Sequence, residues 1–176
     1  MERDKGRRDQ VAGLDMFRLD RTDKAADRVI HACARLMADS DPWRRLGRTY
    51  EDGVRLLSNP AAEVYAAVVQ DEVVGFAILV MEGAFRGYVQ SIGVMPAWRG
   101  RGVGSQLLGA VERRVFGDTS NVFLCVSSFN QDAQRWYKRM GYEVVGELTD
   151  YLVAGHSEIL MRKTTGPLSG FQKKPR

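Results

Sequence analysis

Residues Trp98 to Leu108, WRGRGVGSQLL, crowd three glycines and two arginines into seven positions and then turn into an apolar pattern. Before this stretch, Val94, Met95 and Pro96 close a strand-like run. After it, Val103, Leu107, Leu108, Val111 and Val115 fall on one helical face, so the loop 99–104 lies at a helix N-terminus. The first amides of a helix have no internal partner, and the helix dipole leaves about half a positive charge there. Such a junction seats an anion. Gly100, Gly102 and Gly104 remove the Cβ atoms that would hold a phosphate away from the backbone, while Arg99 and Arg101 add charge, so a diphosphate fits.

Two common phosphate-binding patterns do not match. A dinucleotide fingerprint needs G-x-G-x-x-G between the first strand and helix of a βαβ unit, whereas here the order is Gly-Arg-Gly-Val-Gly-Ser, preceded by several strand-like runs. A P-loop needs Gly-Lys-Ser/Thr, and Gly104 is followed by Ser105 and Gln106.

Upstream, EVYAAVVQ, VVGFAILVME and YVQSIGV are strand-like runs linked by the hairpin-sized DE and GAFRG, which predicts three antiparallel neighbours. Further back, LDMFRLD (14–20) alternates as a short strand. Thr22 is placed to cap a helix over DKAADRVIHACARLMA, whose Ala26, Val29, Ile30, Cys33, Leu36 and Met37 form one stripe that leaves His31 on the surface. DSDPWRRLGRTY has turn chemistry, and a short helix follows until SNP stops it. Downstream, NVFLCVSS reads as a buried strand, NQDAQRWYKRM as a helix closed by Gly141, and YEVVGEL and EILMRK as two final strands. Strands, then βαβα, then strands give an α+β layout with a mixed sheet.

The 176 residues, 44% hydrophobic and 27% charged, suit one domain with a real core, expected over 13–163. The net charge of +4 lies in the ends: residues 1–12 hold four basic and three acidic groups, and 163–176 hold four basic and none acidic. Between them 18 basic groups face 19 acidic ones, with no basic stripe for nucleic acid. The ends, 1–12 and the basic 164–176, read as solvated disordered tails. The N-terminus lacks an apolar leader core and no run approaches the roughly 20 apolar residues of a membrane span, so a cytoplasmic protein without membrane contact is expected. Cys33 and Cys125 sit among apolar neighbours as buried thiols, and no Cys, His or carboxylate cluster has metal-ligand spacing, so no metal is expected.

The spacing Arg-Gly-Arg-Gly-Val-Gly resembles the R/Q-x-x-G-x-G/A signature of the GNAT superfamily of N-acetyltransferases. Upstream, YVQSIGVMPAWRG resembles that family's fourth strand; downstream, SSFNQDAQRWYKRMGYEVVG resembles its second motif, with an asparagine, an alanine, an aromatic pair and glycine-aromatic in order. The resemblance covers about residues 13–163. It implies a mostly antiparallel mixed sheet flanked by helices, and acetyl-coenzyme A as cosubstrate. It assigns the pantetheine arm to the backbone around Ile92, Gly93 and Val94, in a gap between the fourth and fifth strands, as an added strand. The pyrophosphate falls to amides 99–104, Val103 among them, and Asn130 matches the family's cofactor-contacting asparagine.

For the chemistry, the resemblance assigns the general acid to Tyr137, which protonates the departing thiolate, and stabilisation of the oxyanion to a backbone donor near Val94. At the positions where family members often carry a glutamate base, this chain has Gln90 and Cys125. YVQSIGV also resembles the fourth strand of protein N-terminal acetyltransferases, which makes Tyr88 a second catalytic candidate acting through an ordered water, although its usual fifth-strand histidine partner is here Cys125. At pH 7 a lysine amine is only about 0.04% neutral and an α-amine about 14%, a difference of about 3.5 kcal/mol. A site without a strong base therefore favours an α-amine, unless Glu82, Asp150, His156 or Glu158 reaches it.

Acceptor recognition in the fold comes from the segments that are here DSDPWRRLG and LTDYLVAGHSE, which offers Trp43, Asp150, Tyr151 and His156 as substrate contacts. The expected acceptor is a primary amine, on a small molecule or on a peptide or protein N-terminus, and the resemblance admits a homodimer. The missing carboxylate base keeps a second reading alongside, a non-catalytic acyl-coenzyme A sensor or partner module.

Overall fold

The computed structural model describes residues 11–172. Strand β1 (Leu14–Arg18) is followed by helices α1 (Ala26–Ala38) and α2 (Tyr50–Ser58), and then by β2 (Ala62–Val69), β3 (Glu72–Val80) and β4 (Tyr88–Val94). Helix α3 (Val103–Phe116), β5 (Asn121–Ser127), α4 (Gln131–Arg139), β6 (Glu143–Val153) and β7 (His156–Thr164) complete the order. The strands form one seven-stranded sheet in the order β1-β2-β3-β4-β5-β7-β6, antiparallel throughout except for the parallel pair β4 and β5 that α3 connects. This is the mixed, mostly antiparallel layout that the sequence predicts.

Side-chain alternation splits the core into two layers. On one face, α1 and α2 cover Val64, Ala66, Phe76 and Ile78; on the other, α3 covers Ala77, Leu79, Leu124 and Met161. The α3 face is the predicted one, with Val103, Leu107, Leu108, Val111 and Val115 all buried. Truncating a leucine in such a layer to alanine costs about 2–5 kcal/mol. Helix α2 starts with a capping box: the Asp52 amide donates to Thr49 Oγ1 at 3.2 Å and the Thr49 amide donates to Asp52 Oδ2 at 3.0 Å.

Three local expectations are corrected. Thr22 does not cap α1: its amide and hydroxyl both donate to Asp20 Oδ1, at 2.9 and 2.7 Å, and the helix begins later, from Ala25, without a side-chain cap. The local turn outcompetes the helix for this residue. Strand β6 runs on to Val153, past the Leu148 end of the strand read as YEVVGEL, so the final hairpin has a longer first arm. Met140, not Gly141, is the C-cap residue of α4, and Gly141 follows it with φ +89°. At the ends, Val11 packs against the core and β7 extends to Thr164, whose hydroxyl donates to the Ser120 carbonyl at 3.1 Å. Of the two expected tails, residues 1–10 and 173–176 lie outside the described residues.

Candidate active site

The anion seat takes its shape from two backbone positions that favour glycine. Gly100 has φ +73° and Gly102, the residue before α3, has φ +84°, a left-handed region that side chains enter at a cost. No side chain caps this helix, and its first backbone bond runs from the Gln106 amide to the Gly102 carbonyl at 3.0 Å. The amides of Val103, Gly104 and Ser105 therefore have no carbonyl partner within the helix. Gly104 contributes differently, since a Cβ there would meet Trp136 and Val94 at an ordinary 3.5 Å. Arg101 lies over the Trp98 ring, and Arg99 is exposed with its Nε donating to the Val94 carbonyl at 3.1 Å.

Beside this seat, β4 and β5 part. They pair only at Tyr88↔Phe123 and Val89↔Leu124. A bulge causes the change: Ile78 of β3 pairs with Ser91 and Leu79 with Val89, which leaves Gln90 without a partner residue. Its Oε1 is sealed from solvent with no hydrogen-bond donor among the described residues. Beyond the bulge, the Met95 amide turns to Val74 of β3 at 2.9 Å, so alternation aims the main-chain groups of Ile92 and Val94 the other way, towards β5. A strand-shaped gap in which β4 pairs with β5 no further than Val89, ending at uncapped helix amides, fits an extended diphosphate-bearing ligand such as acetyl-coenzyme A.

The two sides of the gap carry different side chains. On the α3 side, Asn130 caps α4 by accepting the Ala133 amide at 3.2 Å. Tyr137, seven residues further on, is 6% exposed, with its ring 4.8 Å from Trp136 and 5.6 Å from Tyr142. Burial pushes its phenol well above the ordinary value, so it holds its proton at neutral pH. On the α1 side, Trp43 donates through Nε1 to Ser91 Oγ at 3.1 Å and leans on Phe76. Gly93 makes room for it, because a Cβ there would come within 2.8 Å of the indole and 2.7 Å of Phe76.

Further along the same side, where β5 pairs with β7 beyond the last β4–β5 pair, Glu158 is 3% exposed and accepts the Ser127 hydroxyl at 2.7 Å. Burial raises its carboxyl above the usual range, while Ser127 and nearby His156 oppose the rise. Burial also pushes the neighbouring Tyr88 phenol far up, with Cys125, Tyr151 and Glu158 adding to the effect, and it raises the Cys125 thiol. His156 stands edge-on to Phe129 at 5.4 Å, and the Arg45 guanidinium caps the same ring at 4.0 Å.

Of the sequence-derived acceptor residues, Tyr151 and His156 therefore gather with Tyr88 around Glu158, and Trp43 forms a separate wall at Gly93. Asp150 is drawn into the hairpin: it has φ +51° and its Oδ1 accepts the Gly155 amide at 2.7 Å. Glu82 is exposed in the β3–β4 connection. Sequence reasoning missed Ser127, Phe129 and Arg45, and gave Glu158 no precedence over its alternatives. The available signal is slight, a glutamate preceding two apolar residues in a strand. Among the described residues no group of three or more His, Cys, Asp or Glu side chains has a metal-holding arrangement, and no helix is long and apolar enough to cross a membrane.

Comparison with known proteins agrees with this geometry. The family described as Acetyltransferase (GNAT) family matches residues 28–142. N-alpha-acetyltransferase RimI of Mycobacterium tuberculosis is 32% identical over 145 residues, covering 80% of this chain and 87% of that one. An uncharacterised Mycobacterium leprae protein, ML0378, is 35% identical over 113 residues; the match covers 62% of this chain but only 31% of that longer protein. Among solved structures, an aminoglycoside 6'-N-acetyltransferase complexed with coenzyme A superposes with a TM-score of 0.68 at 19% identity, covering 92% of this chain and 99% of that one. Arabidopsis thaliana NAA60, in complex with a bisubstrate analogue, gives 0.66 at 20% identity over 86% and 97% of the two chains. The structural likenesses establish the fold, and the sequence matches establish the lineage: this chain belongs to the GNAT family of acetyltransferases.

Proposed function

We propose that this protein transfers the acetyl group of acetyl-coenzyme A to a primary amine, by direct attack in a ternary complex, and that an N-terminal α-amine is its preferred acceptor over a small-molecule amine. The observation that carries the reading is the parting of β4 from β5 after two residue pairs, directly beside a helix start whose glycines leave its amides free. The likeness to an N-alpha-acetyltransferase over 80% of the chain supports the α-amine.

When bound, acetyl-coenzyme A supplies an activated acetyl thioester. In this reading the amides of Val103, Gly104 and Ser105, with Arg99 and Arg101, hold the diphosphate, and Arg99 leaves the Val94 carbonyl to do so. The main chain of Ile92 and Val94 aligns the pantetheine arm, and a donor amide there stabilises developing negative charge, an interaction of about 3 kcal/mol in comparable sites. Tyr137, on the α3 side, gives its proton to the departing sulfur. Tyr88, Tyr151 and His156 border the amine on the opposite side, so acid and acceptor approach the gap from different faces of the sheet. Thiol release measured over a panel of N-terminal peptides and small amines tests the proposal: turnover is expected, greatest on peptides, and coenzyme A binding without turnover on any amine would favour the sensor reading instead.

A further inference from the structure

We propose that Glu158, reaching the acceptor side of the gap from β7, is the general base that takes the proton from the incoming ammonium group. The inference rests on the acetyl-transfer reading and adds the residue that β4 and β5 lack. An amine that arrives protonated has no electron pair with which to attack. In the proposed step an N–H bond breaks towards Glu158 Oε2, directly or through one water. The nitrogen keeps the electron pair, the carboxylate becomes a carboxylic acid, and that proton leaves to solvent before the next turnover.

The surroundings of Glu158 are those of a working base rather than of a structural ion pair. No lysine or arginine forms a salt bridge with it among the described residues, although a buried, unpaired carboxylate is costly. Its single hydrogen bond comes from Ser127 to Oε1, so Oε2 has no protein donor among those residues. The groups that face it are Tyr88 on β4, Cys125 and Ser127 on β5, Tyr151 through Tyr88 on β6, and His156 on its own strand. Of these, the Tyr88 phenol and the Cys125 thiol both hold their protons at neutral pH and cannot act as the final acceptor. A glutamate raised by burial is better matched to deprotonating an amine near pH 7 than an ordinary surface carboxylate. Register makes the placement possible: Ser127 pairs with Glu158 and Cys125 with Leu160, which puts the carboxylate three residues beyond Leu124, the last position at which β5 still pairs with β4.

The test is the pH profile of kcat/KM for the full chain with acetyl-coenzyme A and a peptide amine. Glu158→Gln keeps an oxygen for the Ser127 hydroxyl. It is expected to lower kcat/KM at pH 7 by about a hundredfold or more, to recover as the pH nears the amine's own pKa, and to leave coenzyme A affinity unchanged. Ser127→Ala removes the donor that holds the carboxyl down, so the acidic limb should move up by about one pH unit. A Glu158→Gln enzyme with the rate and acidic limb of the wild type overturns the role of Glu158 while leaving acetyl transfer intact. Wild-type protein that binds coenzyme A and turns over no amine overturns the acetyl-transfer reading itself. If Glu158→Gln does not fold, an acidic limb in Ser127→Ala unmoved from the wild type rejects the proposal.

Discussion

The two sides of the β4–β5 gap are built by opposite means. The side proposed for the cofactor is made of main chain: a bulge at Gln90, two left-handed glycines and the first amides of α3, all within residues 90–105. The side proposed for the acceptor is made of side chains that only the sheet brings together, Tyr88, Cys125, Ser127, Tyr151, His156 and Glu158 on four different strands. Main-chain recognition needs particular conformations and tolerates many side chains between them, whereas the acceptor cluster changes character with any one residue. The difference explains how a family can keep one donor and vary its acceptors: the first site is fixed by backbone geometry, the second by the choice of a few side chains.

The largest expected effect tests the main-chain side. Gly102→Glu forces a side chain into φ +84° and brings a negative charge to the anion seat. Coenzyme A affinity, measured calorimetrically, should fall by at least about a hundredfold, equivalent to about 2.7 kcal/mol or more. Gly102→Ala separates the two causes, because it carries the strain without the charge and should lose far less. Equal affinity in the wild type and Gly102→Glu would remove the diphosphate from this loop and end the contrast between the two sides.

Next in size comes the acid. Tyr137→Phe keeps the ring between Trp136 and Tyr142 and removes only the proton donor, so kcat should fall by about a hundredfold while coenzyme A affinity stays within about twofold. Activity equal to that of the wild type would leave the phenol as a core aromatic and nothing more. Asn130 is a smaller test on the same helix. Asn130→Ala should cost about 1 kcal/mol of stability through loss of the cap on α4, read from chemical denaturation. Asn130→Ser restores the cap without adding charge, so any coenzyme A affinity still missing in that variant measures a separate contact with the cofactor.

The same contrast governs how much was legible before the structure. The glycine loop could be read as an anion seat because its meaning lies in adjacent residues, and the apolar stripe of α3 emerged residue for residue, that of α1 with Ala34 added, because helical periodicity is local. Thr22 misled for a physical reason: a threonine two residues after an aspartate has a turn available as well as a helix start, and the sequence does not rank the two. Asp150 is ambiguous in the same way, since a carboxylate near a hairpin can serve a ligand or its own backbone, and here its Oδ1 accepts the Gly155 amide. Glu158 was readable only as one of four alternatives, because its value depends on the β5–β7 register and on a bulge in β4, each set by packing between distant segments.

The smallest effect sharpens the acceptor side. Tyr151 is 55% exposed on β6, so removing its ring should change stability by no more than about 0.5 kcal/mol. Yet it lies close enough to Tyr88 to influence that phenol across the cleft. In the proposed reading, an exposed ring with little to support in the fold but a place beside Tyr88 contacts the acceptor. Tyr151→Ala should therefore raise KM for a peptide amine severalfold while kcat and KM for acetyl-coenzyme A hold. An unchanged acceptor KM would move recognition to the Arg45–Phe129–His156 stack at the other margin of the cleft, and a fall in kcat alone would mean that the ring positions Tyr88 rather than the substrate.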